Sequence, residues 1–138
     1  MEFEVVGAPV GKMRPKFSTI HGYAQAITPK NNVIYENLVK LTFQQAKSSD
    51  YNLFDKPIKM TILAYFTVPK SFSKKKQNEA LEGKISPLVK PDIDNIAKII
   101  CDALNGVAYK DDSQIVELTI IKRYAAEPKV KIALSEYC

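Results

Sequence analysis

The 138-residue sequence is poor in the residues that build covalent or soft-metal sites, with two cysteines, Cys101 and Cys138, and a single histidine, His21. The cysteines stand at no metal-ligand spacing, so neither a disulfide framework nor a zinc site is expected. His21 has no partner at ligand spacing and falls in a loop, where a surface or hydrogen-bonded role suits it. No run approaches the roughly 20 apolar residues of a membrane span. Met1 leads into the alternating Glu2, Phe3, Glu4 and Val5 in place of a basic signal peptide, so a cytoplasmic protein without membrane association is expected. Acid is in the minority: 20 Lys plus Arg face 15 Asp plus Glu, a net charge of +5. That excess matters for a polyanionic partner only where it gathers on one surface. With 46% apolar and 25% charged residues, the chain has the composition of a folded protein, and its length suits one domain spanning 1–138.

Residues 2–10 alternate polar and apolar until Gly7 and Pro9, the pattern of a first strand ending in a turn. Residues 11–30 carry two Gly, two Pro and several Lys or Arg without a persistent period. They read as a long basic loop, with room for a hairpin around His21 and Gly22. Thr28 and Pro29 predict a helix start. Its apolar face runs through Ile34, Leu38 and Leu41, widened by Tyr35, Val39 and Ala46, to about Lys47. Residues 58–68 place Ile58, Met60, Ile62, Ala64, Phe66 and Val68 on one face of a strand and a mixed set on the other, which predicts a central strand covered on both sides. A short polar helix capped by Ser73 and stopped by Gly83 carries Lys74, Lys75 and Lys76. The strongest helical period is Ile93, Ile96, Ala97, Ile100, Cys101 and Leu104, with Asn105 and Gly106 as its stop. Two strand patterns, 114–124 and 129–135, close the sequence. The expected class is α+β: a mixed β-sheet with helices packed on it.

The chemistry concentrates in residues 90–113, KPDIDNIAKIICDALNGVAYKDDS. Asp92 and Asp94 bracket the start of the helix, and Lys98 and Asp102 follow Asp94 at i+4 and i+8 on one face. Two readings are open at this point. In the first, the aspartates cap the helix and form surface pairs worth a few tenths of a kcal/mol each. In the second, Asp111 and Asp112 fold back after Gly106 and three or four carboxylates converge, a set that suits Mg²⁺ with its retained water and phosphate ligands. A metal so held polarises a phosphodiester, and Lys98 is placed to steady the charge that develops on it.

The run Asp92, Asp94, Asn95, Lys98, Asp102, Ala103, Leu104, Asn105, Gly106, then Tyr109, Asp111, Asp112, Ser113 and Gln114, resembles the signature of the RusA family of Holliday-junction resolvases. Residues 11–17, GKMRPKF, and TPK at 28–30 are similar to that family's basic N-terminal loop. The resemblance implies a RusA-like fold and a homodimeric, Mg²⁺-dependent endodeoxyribonuclease, with Mn²⁺ as a substitute ion. Such an enzyme resolves four-way DNA junctions by paired symmetric nicks in recombination and repair, and is encoded by bacteria, phages or prophages. It implies Asp92, Asp94 and Asp112 as catalytic metal ligands, Lys98 as the catalytic lysine, and Asp102 and Asp111 in support, with Asp111 equally suited to a turn. Lys12, Arg14, Lys16 and Lys30, flanking Phe17 and Tyr23, suit DNA contact. A nuclease acting on flaps or other branched DNA, and an inert DNA-binding protein that uses the aspartates only as caps, are the alternative readings.

Overall fold

The computed structural model describes residues 1–13, 29–52 and 54–137 in full, and the backbone of 16–20 and 23–27. The element order is β1 (Glu2–Val6), β2 (Lys16–Ile20), β3 (Tyr23–Ile27), α1 (Lys30–Ala46), β4 (Ile58–Thr67), α2 (Lys74–Leu81), α3 (Ile93–Leu104), a 3-10 turn (Asp112–Gln114), β5 (Ile115–Ala125) and β6 (Lys129–Glu136). The four longer-range strands form one sheet in the order β1-β6-β4-β5, and β2 pairs with β3 antiparallel. The basic loop therefore contains the hairpin its sequence allowed, although His21 and Gly22 lie outside the described residues.

Within the sheet, β4 runs parallel to β5 and antiparallel to β6, so the sheet is mixed and the architecture is α+β, as the patterning predicts. The last two strands do not pair with each other; they flank β4 on opposite sides. A parallel neighbour needs a crossover, and here α2 and α3 together supply it. The helix that carries the acidic motif is thus held against the sheet by the connection itself.

The alternation in β4 is as expected: Ile58, Met60, Ile62 and Ala64 are fully buried and Phe66 nearly so. Its other face is only half-covered, which corrects the expectation of cover on both sides. Ion pairs ladder that face, Lys59 with Glu117, Lys131 with Glu2 and Lys129 with Glu4, as suits one solvated side of a sheet. Helix α1 departs from expectation in the same way. Its buried residues are Asn32, Tyr35, Val39 and Phe43, while Ile34, Leu38 and Leu41 are exposed. Two interleaved stripes compete on this helix, and the aromatic one wins because Phe43 meets Phe3 and Tyr51 edge-to-face at 5.5 and 5.3 Å. The helix starts at Lys30, with the Pro29 carbonyl accepting from the Asn32 and Val33 N–H groups; Thr28 lies outside the described residues. In α2 the Ser73 hydroxyl caps as predicted, accepting from Lys76 N–H at 3.2 Å. The Lys76 ammonium rests 4.1 Å from the centre of the Phe72 ring.

Candidate active site

Helix α3 has the clearest amphipathic division of the molecule. Ile96, Ile99, Ile100, Ala103 and Leu104 are buried, whereas Ile93 is exposed and Ala97 and Cys101 are half-buried at the edge of the stripe. The buried seam is narrower and rotated relative to the sequence expectation, because Ile99 and Ala103 carry it in place of Ala97 and Cys101. Opposite the seam stand Asp94 and Lys98, both exposed. Asp92 occupies the N-cap position in extended backbone geometry, yet its carboxylate makes no capping hydrogen bond. Asp94 lies in the first turn, where the helix dipole favours negative charge. Neither carboxylate takes part in an ion pair or side-chain hydrogen bond among the described residues, and the same is true of Asp112.

Lys98 reaches Asp102 at 3.5 Å as an i,i+4 pair. The Asp102 carboxylate is shared: Lys12 Nζ approaches the same oxygen at 3.3 Å and lies 2.8 Å from Glu36 Oε1 on α1. Lys12, one of the basic residues expected to suit DNA contact, is held in these ion pairs with its side chain 18% exposed. Burial works to lower its pKa, but the Glu36 and Asp102 carboxylates outweigh burial and raise it. The segment around it is pinned as well. Lys12 N–H donates to the Asn95 carbonyl at 2.9 Å. Buried Asn32 accepts from Met13 N–H at 2.8 Å and donates to the Gly11 carbonyl at 3.2 Å. Gly11 passes so close to α3 that a Cβ there would stand 2.7 Å from Pro91 Cβ and 3.0 Å from Asn95 Cβ.

Two measurable consequences follow from this arrangement. Gly11→Ala must push the segment off Pro91 and Asn95, and overpacking of this kind costs about 1–3 kcal/mol; thermal denaturation reads the loss, and a wild-type melting temperature would contradict the packing. Lys12→Met removes one partner of a part-buried network, costing about 1–2 kcal/mol of stability. It leaves the salt dependence of DNA affinity unchanged, whereas losing a phosphate contact on duplex DNA would reduce the slope by roughly 0.9. A flatter slope in Lys12→Met would put this lysine on the DNA.

The second acidic element is built by the turn after Gly106. Asp111 is the N-cap of a capping box: its carboxylate accepts from Ser113 N–H at 3.3 Å and from the Ser113 hydroxyl. The Ser113 hydrogen bonds hold the Asp111 carboxyl below the usual carboxylate range. Gln114 locks the turn with all four of its hydrogen-bonding positions. Its side-chain oxygen accepts from Lys110 and Asp111 N–H, and its amide donates to the Phe54 and Lys56 carbonyls at 2.9 and 3.1 Å. Buried Tyr109 donates its hydroxyl to the Cys101 carbonyl at 2.8 Å, tying the turn to α3. These contacts hold the 3-10 turn against α3, and the charge of Asp112 is felt at Cys101. Burial first, and then the charges of Asp112 and Asp102, push the Cys101 thiol up to about 11. At neutral pH that thiol is protonated and inert.

The structure thus separates the acids by use. Asp111 is consumed by its turn and Asp102 by two lysines, while Asp92, Asp94 and Asp112 remain available. Among the described residues no three ligating side chains already stand together as a metal cage; Asp92 and Asp94 line an open groove of about 730 Å³ between the 9–13 segment and α3, and Asp112 stands on the Cys101 side. Hard carboxylate oxygens on an open surface fit an ion that keeps water and phosphate in its remaining positions. The structure also brings in Asn32, Glu36 and Gln114, whose parts the sequence did not disclose. The one visible signal was Asn32, a polar residue at the head of the Tyr35, Val39, Phe43 stripe. The side chains of Arg14 and Lys16 lie outside the described residues, and Lys30 is exposed at the start of α1.

The model of endodeoxyribonuclease RusA matches residues 7–135, and the chain belongs to the RusA endodeoxyribonuclease family, which acts on branched DNA junctions. The chain is also similar to a protein of Bacillus subtilis (strain 168), "Uncharacterized protein YqaN", at 36% identity over 138 residues, covering 99% of this chain and 96% of that protein. No helix among the described residues is long and apolar enough to cross a membrane.

Proposed function

We propose that this protein is a Mg²⁺-dependent, cytoplasmic, bacterial or phage-encoded enzyme that resolves Holliday junctions by paired nicks, acting as a homodimer in DNA recombination and repair, with Mn²⁺ able to substitute. The observation that carries the reading is the idleness of three acids in a region where their neighbours are fully engaged. Asp92 sits at an N-cap without capping, and Asp94 and Asp112 hold no partner among the described residues, whereas Asp111 and Asp102 are committed. When bound, the metal supplies Lewis-acid activation of the phosphodiester and of the attacking water. Asp92, Asp94 and Asp112 would hold it. Lys98, oriented by Asp102, projects from the same helix face toward the charge that develops on the phosphate. Arg14, Lys16 and Lys30 contact the phosphates of the arms. A two-fold dimer presents two such sites to a junction of matching symmetry.

The deciding experiment compares a labelled synthetic four-way junction with a linear duplex, with and without Mg²⁺. Paired symmetric nicks in the junction alone, dependent on the ion, are expected. Binding without cleavage under any divalent ion would leave an inert DNA-binding protein, and equal cleavage of flaps would widen the substrate class.

A further inference from the structure

Asp92 belongs to two clefts. On one side it lines the polar groove with Asp94 and Asn95. On the other it lines a cleft of about 710 Å³ walled by Leu88, Val89, Ile93 and Ile120, with Lys90 at its rim. The metal and lysine chemistry of the site makes no use of this second, apolar cleft. Leu88 is 93% exposed, Val89 53% and Ile93 46%. A single exposed aliphatic residue is ordinary, but several gathered into one patch beside the exposed Asp92 carboxylate are a mark of binding. The loop that presents them is pinned on both sides of Leu88. Pro87 is buried, and the Val89 carbonyl accepts from the Lys122 ammonium, which itself lies 5.0 Å from the centre of the Phe66 ring. Leu88 is therefore held outward by an ordered loop.

We propose that this cleft receives an unstacked nucleobase of the DNA next to the scissile phosphate, with Leu88 as the wedge that keeps that base out of the helix. The proposal rests on the nuclease reading above. A nucleobase has a flat π-face that packs on apolar surface, and in a linear duplex that face is covered by its neighbours on both sides. Extracting a base costs a few kcal/mol and costs least where pairing or stacking is already interrupted, as it is where strands exchange. Leucine is among the side chains that wedge between base steps and unstack them. Continuity with the site selects DNA over a protein occupant: Asp92 walls both clefts, and exposed Lys90 stands between them, where a phosphate passing from one to the other would lie. Junction recognition and bond choice are then coupled through four residues of chain.

The test places 2-aminopurine, a base whose fluorescence rises on unstacking, at each position around the crossover of a four-way junction. The junction is then bound by Asp94→Asn protein, which is expected to hold DNA without cutting it. One position is expected to brighten on binding, and to stay dark with Asp94→Asn combined with Leu88→Ala. In the cutting-competent protein, Leu88→Ala should lower the preference for junction over linear duplex by about tenfold, the factor set by losing most of a buried leucine side chain. Leu88→Phe should keep the preference. Because Leu88 is so exposed, its replacement leaves the melting temperature unchanged. The proposal is overturned if no position brightens, if Leu88→Ala keeps its preference, or if Leu88→Ala shifts a dimer to monomer in sedimentation, which would give the cleft to a second copy of the chain. Failure of the nuclease reading is a separate result, seen as absence of Mg²⁺-dependent nicking by the wild-type protein.

Discussion

Asp94→Asn is expected to bind a four-way junction with near-normal affinity and to cut it more than about a hundredfold more slowly, and Asp92→Asn and Asp112→Asn should behave alike. Asparagine matches the shape of aspartate but lacks the charge that holds a hard divalent ion. Residues that merely orient metal ligands typically matter by 10- to 100-fold, so a ligand itself should exceed that range. Folding should be spared, because all three acids are exposed and none caps or bridges another side chain among the described residues. Asp111→Asn provides the contrast. Asparagine caps as well as aspartate does, and the Asp111 carboxylate is spent on Ser113, so this variant should cut at nearly the wild-type rate. Single-turnover cleavage at saturating protein, with melting temperatures alongside, checks the set. Normal cleavage by any of the first three would remove that residue from the site.

The second large effect is that of Lys98→Ala. As an exposed i,i+4 partner of Asp102 at 3.5 Å, Lys98 matters to stability by only about 0.3–0.5 kcal/mol. As a charge placed on the transition state, it matters by on the order of a hundredfold or more in rate, with junction affinity nearly unchanged. The two roles predict opposite patterns, so one purified variant distinguishes them. Lys98→Arg sharpens the comparison, because it keeps the charge and the surface pair but replaces a compact ammonium with a planar fork; it too should cut slowly. Full-rate cleavage by a folded Lys98→Ala would return this lysine to a surface role.

The acidic motif was legible because short-range geometry fixes it. The spacing of Asp94, Lys98 and Asp102 determines a helix face once the helix exists, and the apolar seam with its Asn105–Gly106 stop guarantees the helix. Strand β4 was legible for the same reason, since alternation needs no knowledge of neighbours. What long-range packing decides was not legible. The sequence offers α1 two apolar stripes, and the positions of Phe3 on a distant strand and of Tyr51 beyond the helix select Tyr35, Val39 and Phe43 over Ile34, Leu38 and Leu41. The ion pairs of Lys12 are not legible either, because nothing in the local sequence announces Glu36 and Asp102, which reach it from two different helices. Asp111 and Asp112 look alike in the sequence; their separation into a structural and an available acid depends on Ser113 and on Gln114 reaching residues 54 and 56.

The pairing of β1 with β6, in which Glu2 stands opposite Ala133 and Val6 opposite Lys129, bears on how the protein is made. Strand β6 also supplies one whole side of β4, so the sheet has no complete interior until residues 129–136 have left the ribosome. Contacts so distant along the chain are slow to form and leave strand edges open in the meantime. A nascent chain already carrying Asp92, Asp94, Lys98 and Asp112 therefore lacks the framework that arranges them. DNA-cutting capacity should switch on in one step with release of the last strand, and a stalled product ending before β6 should be degraded or aggregate without nicking nearby DNA.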